Sequence, residues 1–284
     1  MPKIKTGIRN LDRVCGGLLR GHVVLLSGKR GEGKSTLMSQ FVTEAIDQDN
    51  AVFVYSGELP NYHFKNWLDL QIAGANNIET RQNEFNDNEY YLAPETVEKI
   101  NHWYYDKAFI FDNTAVTDDE YEGIIKVITD AICRYDIKLV CIDNLMTAME
   151  CDTNTDLYRQ QSTFVKNLEK MAQQYDVAII LVAHPKKSNG AFDNDTVSGS
   201  SDITNAVSFV FNYERAKDGD DCDSRLMITK NRMNGKLLTG DNAIKLYYSE
   251  KSKRILSNQY ENKEYGCFNT ILNGDFTVID ELPL

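Results

Sequence analysis

Apolar positions along this chain fall into two kinds of stretch. Short, continuous runs rich in β-branched residues occur at 22–27, 51–56, 108–111, 138–142 and 177–183. Strands buried on both faces read this way, because neither face has to be polar. Between them, residues 35–46, 63–74, 96–105, 119–135 and 157–175 carry apolar positions at helical spacing. Alternation of the two kinds predicts the α/β class: a doubly wound, mostly parallel sheet covered by helices. Three further runs, at 208–213, 226–229 and 244–248, follow without long helices between them and predict an antiparallel C-terminal extension. Residues 76–88, 186–195 and 217–223 are polar and read as loops, and 76–118 as a peripheral α/β segment. We divide the chain into a core, 1–256, and a tail, 257–284. In the tail, the runs 270–272 and 276–279 flank the turn pair Asn273-Gly274. They predict either a terminal hairpin or an arm that docks on a neighbouring subunit.

Composition narrows the classes. With 284 residues and 42% hydrophobic content, the chain can bury a full core. A formal net charge of −11 argues against nonspecific coating of nucleic acid, although a local basic channel is compatible with an acidic exterior. The six cysteines are scattered with no C-x-x-C pair, which suits a reducing cytosol. No run approaches a membrane span, and Met1-Pro2-Lys3 does not open a signal peptide, so a cytoplasmic protein with no membrane partner is expected.

The sharpest chemical signal is Gly28-Lys29-Arg30-Gly31-Glu32-Gly33-Lys34-Ser35, followed by Thr36. It has the phosphate-loop spacing G-x-x-x-x-G-K-[ST] and stands between a predicted strand and a predicted helix. Glycines let backbone N–H groups turn inward around a polyphosphate, and the helix start adds partial positive charge. Lys34 is expected to reach the β- and γ-phosphates, and the Ser35 hydroxyl to ligate Mg²⁺ beside ATP or another NTP. Asp143 ends a buried run, where a carboxylate lies at the crevice edge of an open sheet and can hold Mg²⁺. It can also cap the next segment, a role Asn144 shares. Glu58 follows its strand in the same way and can deprotonate an attacking water; the alternative is an ordinary loop glutamate. Its strand is expected to lie near the phosphate-loop strand. His184 ends another run, either as a sensor of the terminal phosphate or as a structural residue. Lys230 and Arg232 follow a strand, and Arg232 is either a solvated charge or an arginine finger from the next subunit.

Taken in order, Gly28–Ser35, Glu58, Asp143, His184 and the pair Lys230 and Arg232 resemble the RecA-like ATPase core of DnaB-type replicative helicases, especially phage primase–helicases. The lead-in Thr6-Gly7-Ile8-Arg9-Asn10-Leu11-Asp12, with Gly16, Gly17, Leu18 and Gly21, is similar to that family's approach to the phosphate loop. Segments 197–203 and 229–232 resemble its third and fourth motifs. The resemblance implies a RecA-like P-loop NTPase with Glu58 as general base, Ser35 and Asp143 at the metal, His184 as the phage-branch histidine, and Arg232 as a finger in trans with Lys230 beside it. It also implies base contacts at Arg215 and Tyr248, and phosphate contacts of DNA at Lys186 and Lys187 in a channel loop. Single-stranded DNA, a hexameric ring of this chain and replication proteins are the implied partners. One departure is Ser198, where the family often carries arginine. The chain also opens on the lead-in, which is expected either of a helicase-only protein or of a piece trimmed from a longer one. Two other functions compete with a DNA-translocating helicase: a RecA/RadA-like recombination ATPase, and a nucleotide-binding regulatory protein.

Overall fold

The continuous apolar runs become the middle of a nine-stranded sheet. The computed structural model describes residues 2–112, 123–149, 156–184, 201–261 and 263–268. A small entry ribbon comes first: β1 (Lys3–Ile4) pairs antiparallel with β2 (Leu18–Leu19) around helix α1 (Arg9–Cys15). Then follow β3 (Val23–Ser27), α2 (Lys34–Asp47), β4 (Val52–Ser56) and α3 (Asn61–Ala73). A two-stranded hairpin, β5 (Glu79–Gln82) and β6 (Asn88–Tyr91), leads to α4 (Pro94–Tyr104) and β7 (Ala108–Ile110). Next come α5 (Ile124–Tyr135), β8 (Leu139–Asp143), the single turn α6 (Leu145–Ala148), α7 (Leu157–Tyr175) and β9 (Ala178–Ala183). The chain continues through α8 (Ser201–Ala206), β10 (Phe209–Arg215), β11 (Ser224–Asn231), β12 (Ile244–Ser249) and β13 (Arg254–Leu256).

Strand order is β13-β12-β11-β10-β3-β9-β8-β4-β7. From β10 to β7 every neighbouring pair is parallel. From β10 to β13 every pair is antiparallel, as the helix-free spacing of the last runs predicts. All five residues of β3 are buried, and they alternate between two cores. Val24 and Leu26 pack under α2 and α3, whereas Val23 and Leu25 pack under α5 and α7. Each such aliphatic side chain, fully withdrawn from water, contributes roughly 1.5–3 kcal/mol. Two filled layers therefore hold the central strands rigid, and with them the loops at their C-terminal ends.

Several expectations change. Residues 76–88, read as a loop, contain β5 and the start of a hairpin. All four residues of β5 are exposed, so no apolar alternation marked the strand. Cross-strand polar pairs define it instead: Arg81 to Glu89 at 2.8 Å and Gln82 Nε2 to Asn88 Oδ1 at 2.6 Å. β4 is not a near neighbour of the phosphate-loop strand, because β9 and β8 lie between them. The α2 crossover passes over two positions that are filled later in the chain. β13 also went unread, since its first residue is the buried Arg254, whose guanidinium bonds Gln71 O at 2.6 Å and Ile72 O at 3.2 Å. In the tail, Tyr265 is buried and donates its hydroxyl to Glu44 on α2 at 2.8 Å, so residues 263–268 dock on their own chain. The runs 270–272 and 276–279, the loop 186–195 with Lys186 and Lys187, Ser198, and the first residues of the 119–135 helix lie outside the described residues.

Candidate functional site: the C-terminal edge of the parallel strands

The parallel strands end in one row. β3 delivers the phosphate loop, β4 delivers Glu58, β8 Asp143, β9 His184 and β10 Arg215, all at the same edge of the sheet. An open α/β sheet forms its ligand crevice at this edge. Here the crevice is a cleft of about 740 Å³ lined by residues 31–36 of the loop, with Glu58, Asp143, His184, Arg215 and Tyr248.

Loop conformation follows from its glycines. Gly33 caps α2 at φ 97°, in the left-handed region that favours glycine. A Cβ on Gly28 would overlap the Tyr213 carbonyl oxygen, so only hydrogen lets the loop pass under β10. Lys34 is 4% exposed, and its ammonium donates to Gly28 O and Lys29 O, both at 2.7 Å. Burial lowers its pKa, while Asp143, Glu32 and Glu58 act in the opposite direction. Glu32 accepts the Lys29 N–H at 3.0 Å, and burial raises its carboxyl pKa. Lys29 and Arg30 stand exposed on the crest of the loop, outside the cleft lining. Thr36 lines the cleft.

Ser35 Oγ donates a hydrogen bond to Asp143 Oδ2, joining the first turn of α2 to the end of β8. Asp143 is 1% exposed. Desolvation raises its pKa, with Glu58 adding to the rise and the Ser35 bond, Lys34 and His184 opposing it. A hydroxyl beside a carboxylate is a donor set for a hard cation. Among the described residues no group of three or more His, Cys, Asp or Glu could enclose a metal ion. Two protein donors with the remaining positions left to phosphate oxygens and water fit Mg²⁺, which keeps several waters. The residues present therefore fit Mg-nucleotide, held by Ser35 and Asp143.

Asn144, noted in the sequence only as a possible cap, proves central. Its Oδ1 accepts from Met146 N at 2.9 Å and Thr147 N at 3.3 Å, capping α6, while Thr147 Oγ1 accepts from Asn144 N at 3.1 Å. Its Nδ2 donates to Glu58 Oε1 and lies 3.3 Å from His184 Nε2. His184 Nε2 in turn lies 3.1 Å from Glu58 Oε1. Capping falls to Asn144, which leaves Asp143 free to meet Ser35. Glu58, 40% exposed, is held over the cleft by groups from β8 and β9. Gly57 must be glycine, since a Cβ there would overlap the Thr147 hydroxyl.

The far wall is aromatic. Trp67, Tyr213 and Tyr248 line it beside Arg215 and Ile255. Tyr213 donates to Ser224 Oγ at 2.9 Å, and Tyr248 N–H to Asp223 Oδ2 at 2.8 Å. Arg215 and Tyr248 thus line the same wall of the cleft. Trp67 and Tyr213 went unread, because an aromatic in a helix or strand carries no sign of which pocket it borders, and Asp223 because it sits in the polar loop 217–223.

Lys230 and Arg232 are not in this cleft. β10 runs parallel to β3, and β11 returns antiparallel, with Asn231 opposite Phe209. Their turn therefore lies at the opposite edge of the sheet. There Lys230 Nζ donates to Thr204 O and Arg232 Nη2 to Asn205 O, at the C-terminus of α8.

Comparison with known proteins agrees with this architecture. A family model described as "AAA domain" matches residues 1–190. The replicative DNA helicase DnaB of Mycoplasma pneumoniae is 25% identical over 193 residues, which is 63% of this chain and 38% of that protein. The chain thus spans well under half of this relative. DNA repair protein RadA of Brucella abortus is 41% identical over 58 residues, 20% of this chain and 12% of RadA. Among solved structures, a DnaB-like replicative helicase described with its primase interactions superposes with TM-score 0.70 at 17% identity, covering 90% of this chain and 63% of that one. A second solved structure, a separate ATPase domain, superposes with TM-score 0.69 at 17% identity, covering 90% of this chain and 91% of that domain. The chain belongs to the AAA domain family, and it has the RecA-like fold that the ATPase domains of DnaB-like helicases also have.

Proposed function

We propose that this chain hydrolyses Mg-ATP at interfaces between copies of itself and uses the energy to move along single-stranded DNA and separate duplex during replication. The observation that carries the reading is the division of charged groups between two edges of one sheet. The phosphate loop, Ser35, Asp143 and Glu58 share the C-terminal edge, while Arg232 lies at the other. A second copy can offer its Arg232 to this cleft, whereas the chain's own cannot reach it.

In this reading the loop amides and Lys34 bind the β- and γ-phosphates. Ser35 and Asp143 would hold Mg²⁺, which would supply screening of the phosphate charge when bound. Glu58 accepts a proton from the attacking water, with Asn144 and His184 fixing its carboxylate. Arg232 of the adjoining copy would stabilise charge on the transferring phosphoryl group, an effect worth about 10³-fold or more in turnover. Arg215 and Tyr248 would contact the base, and Lys186 and Lys187 the DNA backbone. A closed ring, with six copies as in the family resemblance, gives each cleft such a neighbour. Among the described residues no helix is long and apolar enough to cross a membrane.

The test is an ATPase assay with and without oligo-dT, across a salt series, run beside native mass measurement with a slowly hydrolysed ATP analogue. Stimulation by oligo-dT that falls steeply with salt, loss of activity in Lys34→Ala, and ring-sized assemblies are expected. Hydrolysis unchanged in Lys34→Ala would overturn the reading. The short RadA match favours a filament-forming recombination ATPase as the second reading. Particle images on single-stranded DNA separate filament from ring.

A further inference from the structure

The cleft has two ends that stand on different parts of the sheet. Its phosphate end is the loop after β3 with the first turn of α2, and its aromatic end includes Tyr248 on β12 and Ile255 on β13. Along the sheet, β10 and β11 separate the two. A buried amide connects them more directly. Gln71, on α3, is fully buried. Its Nε2 donates to Thr36 O at 3.0 Å and to Lys253 O at 2.8 Å, and its Oε1 accepts Ser39 Oγ–H at 2.7 Å. Thr36 follows Ser35 in the first turn of α2 and lines the cleft. Lys253 ends the turn between β12 and β13, the two strands on which Tyr248 and Ile255 stand opposite each other. The next residue, Arg254, is tied to α3 as well, since its guanidinium donates to Gln71 O at 2.6 Å and Ile72 O at 3.2 Å. Lys253 sits at φ 55°, in the left-handed region where a lysine is uncommon, and the bonds to its carbonyl and to Arg254 hold the turn in that form. Its ammonium lies 6.0 Å from the centre of the Tyr248 ring.

We propose that Gln71 is a positioning residue that fixes the distance between the phosphate loop and the aromatic wall, so that one nucleotide meets both ends at once. This role depends on the reading that Arg215 and Tyr248 contact the base. An amide suits the position. Two carbonyls, one from each end of the cleft, need a donor, and the Ser39 hydroxyl supplies the bond that orients the amide oxygen. β13 is the last strand of the sheet and has β12 alone beside it, so the hairpin is held on one side only by strand pairing. Gln71 and Arg254 hold it from the α3 side. Binding a bare phosphate chain needs the loop alone. Binding a base as well needs the wall already at the right distance, because a wall that has to be ordered on binding lowers affinity.

Calorimetric titration of the full chain with Mg-ADP and with Mg-pyrophosphate tests this, because pyrophosphate has no base. Gln71→Leu keeps most of the side-chain bulk and removes all three bonds. It is expected to raise the Kd for Mg-ADP about tenfold and to leave the Kd for Mg-pyrophosphate within about twofold of wild type. An unchanged Kd for Mg-ADP would overturn the proposal. Equal weakening of both ligands would also overturn it, since Gln71 would then act on the phosphate loop alone. Tyr248→Ala checks the prior reading separately. If it leaves the preference for Mg-ADP over Mg-pyrophosphate at the wild-type value, the base contact fails and the role of Gln71 fails with it. If Tyr248→Ala lowers that preference and Gln71→Leu does not, the role of Gln71 fails by itself. Should Gln71→Leu not fold, Ser39→Ala takes its place, because it frees the amide to turn. A loss of about threefold for Mg-ADP, with Mg-pyrophosphate unchanged, is then expected, and no loss would overturn the proposal.

Discussion

Asn144 does two jobs with the two ends of one amide, and substitution can separate them. Its oxygen caps α6, and its nitrogen holds Glu58. Replacing it with alanine removes both. Loss of an N-cap costs about 1 kcal/mol. The bond to Glu58 involves a carboxylate that is 40% exposed, so its loss adds about 1 kcal/mol rather than the larger value of a buried charged pair. A total of about 2 kcal/mol lowers the thermal midpoint of a domain this size by about 4 °C. Serine at this position keeps a good cap but cannot reach Glu58. Asn144→Ser should therefore recover about half of the lost midpoint. Catalysis should not recover. A general base contributes about 10²–10⁴-fold, and one left unrestrained loses part of that. Both variants should turn over ATP at least about tenfold more slowly than wild type, with similar KM. Scanning calorimetry and a coupled ATPase assay read the two effects. Wild-type turnover in Asn144→Ser, with impaired turnover in Asn144→Ala, would refute the reasoning, because Asn144 would then act through the cap alone.

Asp143→Asn should abolish Mg-dependent hydrolysis yet raise the midpoint of the nucleotide-free protein at neutral pH. Burial raises the folded-state pKa above the unfolded value of about 3.9, so the unfolded chain releases its proton first and the carboxylate weakens the fold as pH rises between the two. The gap between variant and wild type should close on acidification below that window, and a lower midpoint for Asp143→Asn at neutral pH would count against dominance by desolvation. Gly57→Ala should lower both stability and kcat, because its Cβ drives into Thr147 and shifts the turn carrying Glu58; unchanged kinetics would show that the turn can yield elsewhere. Tyr265→Phe removes a hydroxyl that donates to buried Glu44 and accepts from Gln40 at 2.6 Å, so urea unfolding should register a loss of about 1–3 kcal/mol. A loss under half of that range would indicate that water replaces the hydroxyl.

Legibility in the sequence tracked how local the physical cause was. The five apolar runs announced the parallel strands because burial on both faces leaves no polar position to confuse the period. The phosphate loop was readable because strand, glycines, lysine and helix start are contiguous in the chain. Glu58, Asp143 and His184 followed from a rule about strand ends, which holds whatever the strand order is. That order itself was misjudged at β4, since adjacency depends on which crossovers fill the gap later. The β5–β6 hairpin escaped because its pairing is polar and its first strand has no buried face. Arg254 and Tyr265 went unread, and both are buried with hydrogen-bond partners more than 180 positions away.

The same distinction explains why Arg232 resisted assignment. Its neighbours in sequence, Thr229 to Gly235, describe a strand running into a turn and nothing more. Its meaning comes from direction. β11 must run antiparallel to β10 because the connection between them is only a short loop, and a parallel return would need a crossover of a dozen or more residues. The end of β11 then faces away from the edge that holds the phosphate loop, and β3 spans that distance as a straight, fully buried strand. No rotamer of Arg232 crosses a sheet edge to edge. An arginine placed there, its guanidinium donating to the Asn205 carbonyl at the end of α8, acts on phosphate only if the phosphate belongs to another copy.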